Sequence, residues 1–336
     1  MAHITDYEKV KDFDDSALFV FDQNDKVGTR SMFARDMGGA LLRMMSQEEI
    51  NDILGEKPID NRTDLLDYLD PMLTVADRKL IYRGRNLGTE FTEEQKTAIA
   101  AGTFRGLFLG DYWVIGDVKH RIVDFDYWYN IVTSLGESDQ PETFKTHHLC
   151  MWPDNIVSFS SEGYTFCVYH TGNSLESVGT KIPNVYASVL SDSGFINSTI
   201  TDFFGPNILS HPRISIVTIP SNDYSTWSQG WDIRKFENPD YMKLFGYCGL
   251  GRGDNTYPSL SQIAICGLLG AGSKWINEDN TISDGVILNE ENRVAYWLDE
   301  PYSQSLIGAI SWNGTIGHYV INNAGYGGIR PLYAVG

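Results

Sequence analysis

The stretch that most constrains the fold is the last one, LIGAISWNGTIGHYVI, then NNAGYGG, then IRPLYAVG. Chain ends fray unless something ties them down, and this end is an apolar run with no polar tail. Two β-runs flank Asn313-Gly314, the strongest short hairpin signal. A two-residue turn there pairs Trp312 with Thr315, Ile310 with Gly317 and Gly308 with Tyr319 on one face. The other face takes Ile307, Ala309, Ser311, Ile316, His318 and Val320. The third run places Ile329, Tyr333 and Val335 on one side, and Leu332 and Ala334 on the other. The expectation is a paired, interior C-terminal strand. Pro331 has no N–H to give a ladder, so it belongs at a strand start or edge.

The rest of the chain must supply partners for that strand. Its 336 residues suffice for two domains, or for one with an appendage, and 42% hydrophobic with 21% charged residues is a core-forming composition. A net charge of −18 argues against nucleic acid, whose binding rests on cationic contacts to phosphate. It argues equally against anionic membranes and leaves neutral polymers, glycans and proteins as partners. The opening MAHITDYEKVKDFDD has no apolar core of a secretory signal, and no stretch reaches membrane-spanning length. Cys150, Cys167, Cys248 and Cys266 form no CxxC pair. Cys150, Cys167 and Cys266 lie in apolar runs and read as buried free thiols, so no structural zinc is expected.

Residues 1–58 read as a small β/α adaptor. ALFVFDQ (Ala17 to Gln23) is a β-run, and a helical period follows in Phe33, Met37, Leu41, Met44 and Met45, weakened at Gly38 and Gly39. Residues 59–80 read as a polar helical connector. From 81 to 336 the expected class is α+β, with short antiparallel strands, few helices and long loops. Within it, Thr92 with Glu94 and Gln95 starts a helix through Ala101, closed by Gly102. Gly110-Asp111 and Gly116-Asp117 read as turns. There is no fixed-period repeat and no βαβ rhythm.

RVAYWLDEP (Arg293 to Pro301), GAISWNGTIG and GGIRPLYAVG resemble a WLRSP…V…G…GVRP ending. That ending belongs to a superfamily of C-type-lectin-like domains that includes the formylglycine-generating enzyme class and variable proteins diversified by retroelements. Upstream, YRGRNLGTEFTEEQKTAIAAGTFRGLFLGDYWVI, HRIVDFDYW, THHLCMWPD and SGFINSTI are similar to segments of phage proteins that carry this ending. The N-terminal ITDYEKVKDFDDSALFVFDQNDKVGTRSMFARDM looks like an opening of phage virion surface proteins. The resemblance implies a lectin-like fold over 81–336, a buried Trp297 and a docking role for 1–58. One position departs: the family's Arg after Trp-Leu is Asp299 here, so any ion pair it makes must be rebuilt. Arg330 is kept. Inside an apolar strand a guanidinium needs acceptors for five donors, so Arg330 reads as structural, satisfied by carboxylate or carbonyls.

Catalytic patterns are thin. No cysteine lies beyond Cys266, which removes the reactive thiols of a formylglycine-generating enzyme. His147 and His148 with Asp154 invite a metal, but adjacent strand residues point to opposite faces, and a hydrogen-bonding role is preferred. The acids of Asn277 to Asp284 are the place for calcium, although they lack the EF-hand pattern and a solvated turn is preferred; no cofactor is expected. GRGDN (Gly251 to Asn255) reads as a turn. No G-x-S-x-G elbow or phosphate loop occurs, and no carboxylate pair stands out for glycoside hydrolysis. The chain is not expected to be an enzyme.

Binding fits better. The closing segment is dense in Tyr, Trp, Asn and Ser, which give contact area and hydrogen bonds at low entropic cost. The expected ligand-binding set is Tyr302, Gln304, Trp312, Asn313 and His318, with Tyr319, Asn322, Asn323 and Tyr326. The reading is a phage virion surface protein, made in the bacterial cytoplasm and docked by its adaptor to capsid or tail. A head fibre or capsid decoration is favoured, homotrimeric, binding host-surface or mucosal glycan or protein. Its rivals are a tail-tip receptor-binding protein, an ornament without ligand, and a glycan-active enzyme.

Overall fold

A computed structural model describes residues 66–67, 69–133, 142–156, 190, 195–218, 228–246, 262–269, 274–276, 282–285, 295–301, 305–311, 316–322 and 327–336. The chain divides into two compact units, Met1–Met72 and Leu73–Gly336. In the first, the described part includes a single 3-10 turn, Asp70–Met72; the β-run and helix expected between 17 and 55 lie outside the described residues. The second unit is mixed helix and antiparallel sheet. It takes in helix α1, Val75–Arg78, from the stretch read as connector. Arg78 is buried there, donating to the Leu107 carbonyl at 3.1 Å.

Local signals set the next elements. Helix α2 is Glu93–Ala100, and its N-cap Thr92 exchanges hydrogen bonds with Gln95: the Gln95 N–H donates to Thr92 Oγ1 at 3.3 Å, and the Thr92 N–H to Gln95 Oε1 at 2.9 Å. Gly102, at φ +64, closes it. Strands β1 (Tyr112–Ile115) and β2 (Val118–Phe125) pair from Ile115↔Val118. Gly116 (φ 55) and Asp117 (φ 65) form the two-residue turn between them, a geometry open to Gly and tolerated by Asp.

The main sheet runs β1-β2-β5-β15-β6, with β5 at Leu149–Pro153, β6 at Ile208–Leu209 and β15 at Leu332–Val335. One side of β15 pairs with β5. The other is shared by β6, opposite Ala334 and Val335, and by β9 (Phe236–Glu237), opposite Leu332 and Tyr333. All four residues of β15 are fully buried. The C-terminal run is thus the interior strand its composition calls for, and Pro331 sits just before it, where a missing N–H breaks no ladder.

Smaller antiparallel sheets complete the described fold: β3 (Val132–Thr133) with β4 (Glu142–Thr143), β7 (His211–Thr218) with β8 (Ser228–Arg234), and β10 (Lys274–Ile276) with β11 (Ile282–Gly285). The last pair brackets the acidic NEDNTISD stretch, which is therefore partly strand. Helices α3 (Phe195–Phe204), α4 (Tyr241–Phe245) and α5 (Ala264–Leu269) lie between them in the chain.

A three-stranded sheet joins β12 (Tyr296–Pro301), β13 (Leu306–Ile310) and β14 (Ile316–Val320). Its hairpin corrects the expected register. The pairs are Ile310↔Ile316, Ala309↔Gly317, Gly308↔His318 and Ile307↔Tyr319, one residue off those of a two-residue Asn313-Gly314 turn. The pairs leave an odd number of residues between Ile310 and Ile316, where a two-residue turn would leave an even one. A one-residue slip exchanges the faces of the whole strand, so Tyr319 joins Ile307 and Ala309, while His318 joins Gly308 and Ile310.

Charge is buried in matched pairs. Arg83 grips Asp111 through Nε at 3.0 Å and Nη2 at 2.6 Å, and Arg121 Nε meets Asp154 at 2.7 Å. Asp111 also accepts the N–H groups of Arg85 and Phe108, each at 2.9 Å. Removing one member of such a pair strands the other. Asp111→Ala is expected to lower the unfolding free energy by about 3–5 kcal/mol, against less than about 1 kcal/mol for Glu93→Ala at the exposed Glu93–Lys96 pair. Urea denaturation followed by circular dichroism measures both.

Candidate functional site

Of the nine residues expected to bind, the structure describes His318, Tyr319 and Asn322; Tyr302, Gln304, Trp312, Asn313, Asn323 and Tyr326 lie outside the described residues. His318 and Tyr319 are neighbours on β14 and therefore face opposite ways. The Tyr319 ring lies over Gly317, where a Cβ would meet it at 2.6 Å. It is half-buried. His318 is also half-buried, and burial pulls its pKa down. Val320 is 45% exposed and Asn322 is exposed, whereas Ile321 between them is buried and its N–H donates to the Ser305 carbonyl at 3.1 Å. The accessible part of β14 is thus a short strip at the sheet's edge.

The residues read as structural are buried. Trp297 is fully buried, and a Cβ on Gly327 would lie 2.7 Å from its ring, so residue 327 must be small. Arg330 donates from Nε to the Pro153 carbonyl at 2.6 Å and stacks 3.8 Å above the Trp152 ring. Trp152 Nε1 donates back to the Arg330 carbonyl at 2.9 Å. Arg330 is thus held in the interior by one carbonyl acceptor and an aromatic face. Asp299 has its cation: Arg213 Nη1 lies 2.7 Å from Asp299 Oδ2, both side chains nearly inaccessible. The pair joins β7 to β12.

The histidine pair diverges. His147 meets Asp126 through Nδ1 at 2.8 Å and stacks on Tyr129 with centroids 4.6 Å apart. His148 turns inward, its Nδ1 beside the Thr146 carbonyl at 2.8 Å and its Nε2 accepting the Trp128 N–H at 3.1 Å. That combination requires a neutral ring with the proton on Nδ1. Asp154, the third member of the imagined metal site, is taken by Arg121. Among the described residues no group of three His, Cys, Asp or Glu side chains is placed to hold a metal ion.

Sequence reasoning missed a group of buried charges on β7, β9 and α4. His211, Glu237, Asp240 and Lys243 are all buried. Burial alone pulls Lys243 down, but Asp240 and Glu237 outweigh it and hold the ammonium well above its ordinary range. The local sequence FENPDYMK has the polar look of a turn, and nothing in its spacing distinguishes it. The thiols are the opposite case. Cys150 and Cys266 are free and buried, and burial raises both, Cys266 to about 12. Neither is poised as a nucleophile.

A scan against protein-family models, a search of curated proteins and a search of solved structures each returned no match to this chain.

Two buried histidines make stability depend on pH. His120, which meets the Tyr333 hydroxyl at 2.8 Å, and His148 are both pushed down to about 3, chiefly by burial. Unfolded histidines titrate near 6.5, so on acidification the unfolded chain takes up protons first. Stability from these groups is full above about pH 6.5 and is lost as pH falls toward 3. Between pH 6.5 and 5, the unfolding free energy should approach a slope of ~3 kcal/mol per pH unit from the pair. His148→Gln should remove about half of that slope. Urea titrations at stepped pH measure it; a flat profile over this window would contradict the burial argument.

Proposed function

We propose that the chain is a phage virion surface protein, a head fibre or capsid decoration, whose second unit is a C-type-lectin-like display domain for glycan or protein on a host or mucosal surface. The observation that carries this reading is the pairing of the closing residues. A GGIRPLYAVG ending of the kind the lectin-like superfamily uses forms the fully buried β15 between β5 and the β6 and β9 strands. His318 and Tyr319 on the edge strand β14, half-buried, and Asn322 just after it, exposed, lie where a ligand could reach them.

The division of labour has a physical basis. Recognition by loops and strand edges requires a scaffold that does not move when they are occupied, and β15 with the Arg330–Trp152 clamp supplies one. Tyr and Asn on the edge suit neutral polar ligands, with ring faces for sugars and amides for hydroxyls. An acidic chain does not attract polyanions, so uncharged glycans fit better than nucleic acid. A tail-tip receptor-binding protein is the second reading; it shares the display domain and differs in the particle component to which residues 1–58 dock. Labelling of intact particles with antibody against the full chain separates capsid from tail.

Full-length protein should bind whole host cells or a glycan array. The double variant Trp312→Ala with Tyr319→Ala should lose at least about tenfold in affinity, on the order of 1–2 kcal/mol for lost aromatic contacts, while keeping the wild-type circular dichroism spectrum. Equal binding by a folded double variant would remove the closing segment as the contact face.

A further inference from the structure

The buried charges beside β15 have no part in surface binding, and their arrangement is chemically specific. Lys243, on α4, has a side chain 1% exposed, with Nζ 2.8 Å from Asp240 Oδ2 and 3.4 Å from Glu237 Oε2. Glu237 ends β9, is 1% exposed, and its Oε1 lies 3.6 Å from His211 Nε2 at the start of β7. Trp128 covers the His211 ring at 3.9 Å, nearly parallel. Among the described residues, no hydrogen bond reaches either Glu237 oxygen or either His211 ring nitrogen. Asp240 is engaged differently: its Oδ1 accepts the Lys243 N–H at 2.9 Å and caps α4.

Four features meet here: an amine, a carboxyl group without hydrogen-bond donors, a carboxylate in contact with the amine, and an imidazole on the far side of the carboxyl group. The Lys243 nitrogen and the Glu237 carboxyl group are held side by side, 3.4 Å from Nζ to Oε2, so the two partners are already brought together. Bulk water is excluded, which disfavours hydrolysis. Keeping an ammonium and a carboxylate inside a protein is costly even when they are paired. Joining them removes both charges from the interior.

We propose that Lys243 and Glu237 condense into an internal amide cross-link, with Asp240 as the base that carries protons between them and His211 beside the other carboxyl oxygen. The balance closes without a co-reactant. Asp240 takes one proton from the Lys243 ammonium and passes it to Glu237, giving an amine and a carboxylic acid. The amine lone pair forms the new bond to Glu237 Cδ. Asp240 takes a second proton from the nitrogen and returns it to a Glu237 oxygen, which leaves as water when its bond to Cδ breaks. Ammonium and carboxylate have become an amide and water, with no change of oxidation state. Glu237 is the acyl partner rather than Asp240, because Asp240 already serves the α4 backbone. The product ties β9, and through it β15, to α4.

The test is the mass of the full chain, purified and denatured. The expected result is a mass one water below that of the sequence, with trypsin failing to cut after Lys243. The peptide Phe236–Arg252 should appear one water light and give no fragment ions between residues 237 and 243. Lys243→Arg and Glu237→Ala should each have the full mass of their own sequences, and Asp240→Ala should retain a detectable unlinked fraction. A wild-type chain of full mass that cleaves after Lys243 overturns the proposal, with no variant needed. So does a water loss mapped to any other pair, Asp240 with Lys243 included.

Discussion

The second unit depends on a strand that has to be held from both sides. β15 takes β5 along one edge and two very short strands, β6 and β9, along the other. None of the three partners is close to it in sequence, so the sheet cannot close until distant segments have been brought together. Non-local pairing of this kind carries a loop-closure cost before any contact is gained. Arg330 helps to offset it just upstream of the strand. Its guanidinium lies on Trp152 and bonds to the Pro153 carbonyl, while Trp152 bonds back to the Arg330 main chain. The clamp joins the approach to β15 with the end of β5 and aligns the two before the ladder begins.

The matched charges have a related role. A buried ion pair is weak evidence of stability, since the cost of desolvation can exceed the attraction, yet losing one member is severe. Such pairs therefore discriminate more than they stabilise. Arg83 has several acceptors in one geometry, Asp111 and the Gly106 carbonyl among them, and a packing that displaced it would leave a guanidinium unsatisfied. Arg213 with Asp299 does the same between β7 and β12.

Legibility in the sequence followed the range of each interaction. Helix α2 could be bounded at both ends, because Thr92, Gln95 and Gly102 act within a turn of themselves. The β1–β2 turn was equally local. The closing strand was legible from its apolar run, but its partners were not: β6 and β9 have two residues each, too few for any period. The hairpin register was misread because Asn-Gly serves loops of more than one length, and one residue decides which face each side chain takes. Arg121 sits in KHRIVDF, which resembles a half-exposed strand, yet β2 is buried along nearly its whole length. The candidate site was legible as composition only. Tyr319 is half-buried over Gly317 of its own strand, and the register decides which face it and His318 each take.

Charge accounting links the interior to the surface. Among the described residues, the buried cations are Arg78, Arg83, Arg121, Arg213, Lys243 and Arg330, and the buried acids are Asp111, Asp124, Asp154, Glu237, Asp240 and Asp299. The two sets are equal in number, so the described core is neutral in formal charge. The surplus of acids behind the net charge of −18 therefore lies outside it. A field of that sign repels phosphate-rich surfaces at separations up to about 8 Å in physiological salt. It places no such barrier before an uncharged sugar. A ligand that meets aromatic rings and amides at a strand edge must come within that distance. The charge distribution thus narrows the proposed partner toward neutral glycans, independently of the motif that first suggested a lectin-like scaffold.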